Sequence, residues 1–241
     1  MTQHRASRDE PASDRSAPVA EPVRQVVVYG DFNCPWSYLA SRRAARMAVD
    51  GMAVDWRAVE HDPRAGETLS KGSERLDGVR ADMEKVVEVL LPGEQLPYSL
   101  AGFVPNTGAA ISEYAAAYNL GQAERVRQLL FEALWLHSVD LDDVRVVHTI
   151  VRDAIQVDAS SGESSFKRDD HTDGVVPRSP STVLGLRRKW ASEWRNKGRV
   201  MVPVIVVDGA DPVFGIDAVE WLGLSLLNRR LTGAYEAGQF S

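Results

Sequence analysis

A chain of 241 residues, 44% hydrophobic and 26% charged, is long enough to bury one large core or two smaller ones, and its composition is that of a folded globular protein. A formal net charge of -6 argues against a general nucleic-acid binder, and no run of about 18 apolar residues is available to cross a membrane. A single cysteine excludes an intramolecular disulfide and a multi-cysteine zinc site; with no apolar leader in the first 23 residues, it sets the expectation of a reducing, cytoplasmic setting.

Met1 to Val23 is polar and holds several Pro, Ser, Asp and Arg residues, so a disordered tail is expected there. Arg24 to Gly30 reads as a buried strand through its β-branched Val26, Val27 and Val28. Pro35 to Asp50 reads as a helix, with Leu39, Arg43, Ala44, Met47 and Ala48 at helical spacing. Met52 to Val59 alternates as a second strand, and a strand–helix–strand unit implies a parallel pair with a right-handed crossover. His61 to Gly78 is polar and reads as a loop.

A helical block follows. Helices are expected over Val79 to Leu91, over Gly108 to Asn119 with Thr107 as N-cap, over Gln122 to Ser138, and over Asp140 to Ile155 with Asp140 as cap. Asp158 to Pro180 is polar and reads as a mobile loop. Ser181 to Lys197 reads as a helix with Trp190 and Trp194 on one face. Its basic run Arg187-Arg188-Lys189 is either a solvated face or a patch that steers an anionic substrate. Strand character returns at Val200 to Val207, Asp208-Gly209 marks a turn, Asp211 to Phe214 gives a short antiparallel partner, and a last helix runs from Ala218 to Leu231. The domain reading is therefore a β–α–β and β–β–α unit, residues 24–60 and 198–233, interrupted by a helical domain over 61–197.

The candidate site lies where the first strand meets the first helix. Pro35 suits the first helical position, where its missing N–H costs nothing, and this places Cys34 at or beside the N-cap. Free N–H groups and the helix dipole there favour a thiolate, so Cys34 is expected to titrate below the usual cysteine value. The alternative is a small buried hydrophobe, the ordinary fate of a free cysteine. Ser37 stands where a redox dithiol pair would carry its second cysteine; it either hydrogen-bonds the sulfur or caps the helix.

The segment Asp31-Phe32-Asn33-Cys34-Pro35-Trp36-Ser37-Tyr38-Leu39-Ala40 resembles the Cys-Pro-Trp-Cys-Tyr segment of FrnE-like members of the DsbA superfamily. It equally resembles the Ser-Pro-Tyr-Ser-Tyr-Leu segment of 2-hydroxychromene-2-carboxylate isomerases and kappa-class glutathione transferases. Val202-Pro203-Val204-Ile205-Val206-Val207-Asp208-Gly209 is similar to the loop in which this superfamily carries a cis proline opposite the active cysteine. Val213-Phe214-Gly215-Ile216-Asp217 resembles an element that holds the γ-glutamyl end of glutathione, and Val104-Pro105-Asn106-Thr107 resembles a Pro-Asn-Thr element of the inserted domain. The resemblance covers Arg24 to Leu231 and implies an α/β, thioredoxin-like fold with an inserted all-helical domain.

The resemblance implies catalytic roles for Cys34, Ser37 and Pro203. It implies substrate or thiol contacts at Phe32, Pro35, Trp36, Tyr38, Asn106, Val202, Gly215 and Asp217, with Phe103 as a further lining residue. Asp217 either caps its helix or takes an amino group. With one cysteine, a mixed disulfide cannot be released within the chain, so an external thiol has to resolve it. Three functions stay open: a monothiol oxidoreductase, a glutathione-like thiol-dependent isomerase or transferase acting on a small aromatic or electrophilic molecule, and a non-catalytic binding module. No tightly bound cofactor, metal, nucleic-acid partner or membrane is indicated; a small thiol serves as co-substrate, and the family resemblance implies a homodimer. Of the five histidines only His61, directly after the second strand, is placed to approach the site.

Overall fold

A computed structural model describes residues 25–63, 74–160, 180–198 and 200–238. The expected tail and most of the expected loop at Asp158 to Pro180 lie outside the described residues. Strand β1 (Val26–Gly30) leads through α1 (Pro35–Val49) to β2 (Val54–Ala58). The helices α2 (Glu74–Glu88), α3 (Gly108–Tyr118), α4 (Ala123–Trp135), α5 (Val144–Ser160) and α6 (Pro180–Arg195) come next. The chain then closes with β3 (Val204–Val207), β4 (Val213–Phe214) and α7 (Gly215–Gly238).

The four strands form one sheet in the order β2-β1-β3-β4. β1 runs parallel to β2, with Val28 opposite Trp56, and antiparallel to β3, with Val28 opposite Ile205. β1 is central and its Val26, Val28 and Tyr29 are buried, as a strand covered on both faces requires. α1 and α7 pack together, and α3 and α6 pack against β2. No helix among the described residues is long and apolar enough to cross a membrane.

α5 runs on to Ser160, into the expected loop, and α7 to Gly238, past the expected Leu231; four other features also differ from the sequence expectation. α2 begins at Glu74, inside the expected loop, because Leu76 joins Met83 and Val86 in a buried stripe. The cap of α5 is not Asp140: Asp143 Oδ1 accepts the Arg145 and Val146 N–H groups, while Asp140 closes the preceding turn. β3 starts only after Pro203, which has no N–H for the ladder, and Val200 and Met201 are exposed. α7 begins at Gly215, three residues earlier than expected; Gly215 adopts φ 58, a conformation that favours glycine.

Two features fix the floor under the β1–α1 turn. Arg43 of α1 is buried and donates to the carbonyls of Val219 (2.7 Å) and Val89 (2.9 Å) and to Glu94 Oε2 (2.7 Å), so it ties α1, α7 and the end of α2 together. Aromatic rings from α1 and α4 interleave below the turn: Tyr38 stacks on Trp135 with ring centroids 5.6 Å apart, and Phe32 meets Phe131 at 5.0 Å.

Candidate active site at the start of α1

Cys34 is the N-cap of α1, in an extended conformation (φ -99°, ψ 123°), with Pro35 following as the sequence requires. Its N–H donates to the Asp31 carbonyl at 3.3 Å, and its own carbonyl accepts the Tyr38 N–H at 3.0 Å. Its sulfur lies 3.6 Å from the Val202 carbonyl oxygen, across a sequence separation of 168 residues. The Val202–Pro203 bond is cis. The strand order explains the meeting, because β3 is the antiparallel neighbour of β1 and its leading end lies beside the trailing end of β1.

The charge balance at the sulfur departs from the sequence expectation. The Ser37 N–H and hydroxyl and the Trp36 N–H all favour a thiolate. Burial outweighs them: Cys34 is only 6% exposed, and the Asp31 carboxylate adds repulsion. The thiol is pushed up to about 11 instead of being lowered, with desolvation as the largest cause. At rest Cys34 is a neutral thiol donating to a carbonyl. Ser37 fills one of the two roles left open for it: its hydroxyl reaches the sulfur, whereas its oxygen accepts the Asp31 N–H at 3.2 Å, a bond within the turn that does not cap α1.

A polar cluster lies beside the turn; the sequence pointed to its His61 but not to Asp31 or Thr107 as its partners. The Asp31 side chain is fully buried. Its Oδ1 accepts the Thr107 hydroxyl at 2.6 Å, and its Oδ2 accepts the His61 N–H at 2.8 Å and lies 2.7 Å from His61 Nδ1. Three donors surround one carboxylate, as a buried charge demands. Thr107 is the N-cap residue of α3, as expected, but its hydroxyl is spent on Asp31 and makes no cap bond. Asn106 takes the turn role, its Oδ1 accepting the Gly108 N–H at 2.8 Å. Asn33 donates to the Pro105 carbonyl at 3.0 Å, which pins the turn to the same segment. The available signal was an acid three residues before the cysteine at the end of a strand; its burial depends on partners 30 and 76 residues away.

The candidate contact residues divide by burial. Val202, Pro203, Ser37 and Cys34 converge, and Trp36 is half-buried beside them. The Phe32 and Tyr38 side chains are buried in the core. Phe32 packs on Phe131 and Tyr114, and Tyr38 lies among Phe131 and Trp135 with its hydroxyl on the Pro97 carbonyl. Pro35 is buried as well. Phe103 is half-buried and packs against the core. The Asn106 amide is already engaged, its Nδ2 donating to Glu60 Oε1 at 2.9 Å. The Gly215 N–H donates to the Pro203 carbonyl at 2.8 Å, so this residue serves the loop's backbone. Asp217 is exposed in the first turn of α7, past the cap position, with no partner among the described residues. No cluster of metal-ligating side chains occurs among the described residues.

Residues 25–174 match the family profile described as DSBA-like thioredoxin domain. A solved structure of 2-hydroxychromene-2-carboxylate isomerase aligns with a TM-score of 0.54 at 18% identity, covering 87% of this chain and 98% of that one. A probable DsbA oxidoreductase from Streptomyces coelicolor gives 0.53 at 16%, covering 86% and 89%. The cytosolic disulfide reductase DsbM from Pseudomonas aeruginosa gives 0.54 at 14%, covering 86% and 99%. No curated protein matches the sequence.

Proposed function

The chain belongs to the family of DSBA-like thioredoxin domains, and from that premise we propose that it is a monothiol thiol-disulfide oxidoreductase with Cys34 as nucleophile. The observation that carries this reading is the sulfur at the N-cap of α1, 3.6 Å from the carbonyl that precedes Pro203. A disulfide substrate drawn along the Val202 edge competes for that carbonyl and displaces the thiol hydrogen from it, as in strand addition. The proton leaves to solvent, and the Ser37 and Trp36 N–H groups and the Ser37 hydroxyl hold the resulting thiolate.

The thiolate then attacks one sulfur of R–S–S–R′. A Cys34–S–S–R bond forms, the substrate S–S bond breaks, and R′S⁻ departs with the electron pair. Because the chain has no second cysteine, an external thiolate attacks the mixed disulfide, takes R as a new disulfide and returns Cys34 as thiolate. A glutathione-like thiol suits this role. DsbM, a fold-level relative, has a structure with GSH, and the Gly215 segment that carries Asp217 is bonded to the Pro203 loop through the Gly215 N–H. A lone unpaired thiol fits a reducing cytoplasm.

The neutral resting thiol favours a second reading. Cys34 and Ser37 then act as donors that hold the sulfur of an external thiol, which does the chemistry on a small aromatic or electrophilic substrate. Cys34→Ser separates the two: it abolishes exchange with disulfides under the first and largely spares turnover under the second. Incubation of the full chain with oxidised glutathione, followed by intact mass, tests the first directly. A single adduct on Cys34 that free thiol removes supports it, and an unmodified sulfur rules it out.

A further inference from the structure

α6 carries Leu184, Arg187, Arg188, Ala191 and Arg195 on one stripe, at spacings that place them on the same face. With Glu60, Ile111 and the end of β2 they line a cleft of about 370 Å³. The residue after Glu60, His61, donates its N–H to Asp31 of the Cys34 turn, which links the cleft's edge to that turn through the backbone. Arg187 is fixed in the cleft: its Nη1 donates to Ser112 Oγ at 2.7 Å, and its Nη2 lies 4.0 Å from Glu60 Oε2. Glu60, the one carboxylate lining the cleft among the described residues, is also engaged by Asn106. Arg188 and Arg195 have no partner among the described residues, and the nearby acid of α6, Glu193, is taken by Arg57 at 2.6 Å. Among the described residues the cleft thus holds three guanidinium groups and one carboxylate, in a chain whose net charge is -6.

We propose that this cleft is a binding subsite for the carboxylate end of a small organic anion, with Arg188 and Arg195 as its charge partners and Leu184 and Ile111 against its apolar body. Guanidinium pairs well with carboxylate because its planar fork matches the two oxygens. On the reading of Cys34 as nucleophile, the subsite selects disulfides and thiols that carry carboxylates, by holding the charged end while the sulfur reaches Cys34.

The test uses the full chain and the double variant R188Q/R195Q. The rate of Cys34 modification is measured with the dianionic aromatic disulfide 5,5′-dithiobis(2-nitrobenzoate) and with the uncharged 4,4′-dithiodipyridine, and isophthalate binding is measured by calorimetry. The subsite predicts that the anionic-to-neutral rate ratio falls about tenfold in the variant and that isophthalate binding, present in the wild type, is lost. An unchanged ratio overturns it. A lower ratio with no isophthalate binding to the wild type also overturns it, because long-range steering alone then explains the rates. If neither disulfide labels Cys34, the nucleophile reading falls, and isophthalate binding then decides the subsite alone: loss in the variant upholds it, and absence in the wild type overturns it.

Discussion

At Cys34 two opposing effects meet, and their sizes decide the chemistry. N–H groups and a hydroxyl at a helix start favour the thiolate, but desolvation disfavours it more, and the thiol rises to about 11. Iodoacetamide labelling of Cys34 is therefore expected to climb with pH well beyond 9 and to show no plateau near neutrality. Asp31→Asn removes the repulsive carboxylate and is expected to speed labelling several-fold at pH 8, read against Cys34→Ser as blank. The same shift has a stability consequence. A thiol raised in the folded state stabilises the fold fully below its unfolded value and loses that contribution as pH rises from about 9 toward about 11. Two pH units correspond to on the order of 3 kcal/mol. Urea melts at pH 8 and pH 10.5 are expected to show a steeper alkaline loss in the wild type than in Cys34→Ser.

At the level of elements, two contacts hold β1 and α1 where the site needs them. Gly30 ends β1 against the ring of Trp56 on β2, and a Cβ there would run into the ring. Gly30→Ala is expected to cost about 1–3 kcal/mol by overpacking, measured by denaturant unfolding. Arg43 and Glu94 form a buried pair at 2.7 Å. Burial works to raise the Glu94 carboxyl, but hydrogen bonds from Arg43 and the Leu91 N–H prevail and hold it below the usual range. Its contribution is present above the unfolded carboxylate value and is lost as pH falls through the lowered one. Glu94→Gln leaves a buried guanidinium short of its charge partner. A loss of about 3–5 kcal/mol at pH 7 is expected, together with a flatter acid limb in unfolding measured from pH 7 to pH 3.

Across the whole molecule, the helical block is tied to the sheet through the reactive turn itself. Trp135 at the end of α4 donates its ring N–H to the Phe32 carbonyl at 2.9 Å. Thr107 at the start of α3 bonds Asp31, and Asn33 bonds Pro105. A disturbance in the block should therefore reach Cys34. Trp135→Phe removes one buried hydrogen bond and is expected to cost about 1–2 kcal/mol. It is also expected to change the Cys34 labelling rate, which a substitution on the exposed face of α5, such as Val146→Ala, should leave alone.

The order of elements, the cysteine at a helix start behind Pro35, and the serine three residues on were legible in the sequence because each rests on local rules: β-branched runs, helical spacing and proline's missing N–H. The fates of Phe32 and Tyr38 were not, since an aromatic beside a reactive cysteine reads the same whether it faces a substrate or Phe131 and Trp135. Nor was the direction of the thiol's shift. Proximity to a helix start is written in consecutive residues, but the burial of Cys34 comes with packing that brings in Val202 from 168 residues away, and the Asp31 carboxylate is held by Thr107 and His61. Local sequence determined which groups meet at the start of α1; only the packing of distant segments decided how dry, and therefore how acidic, that meeting place is.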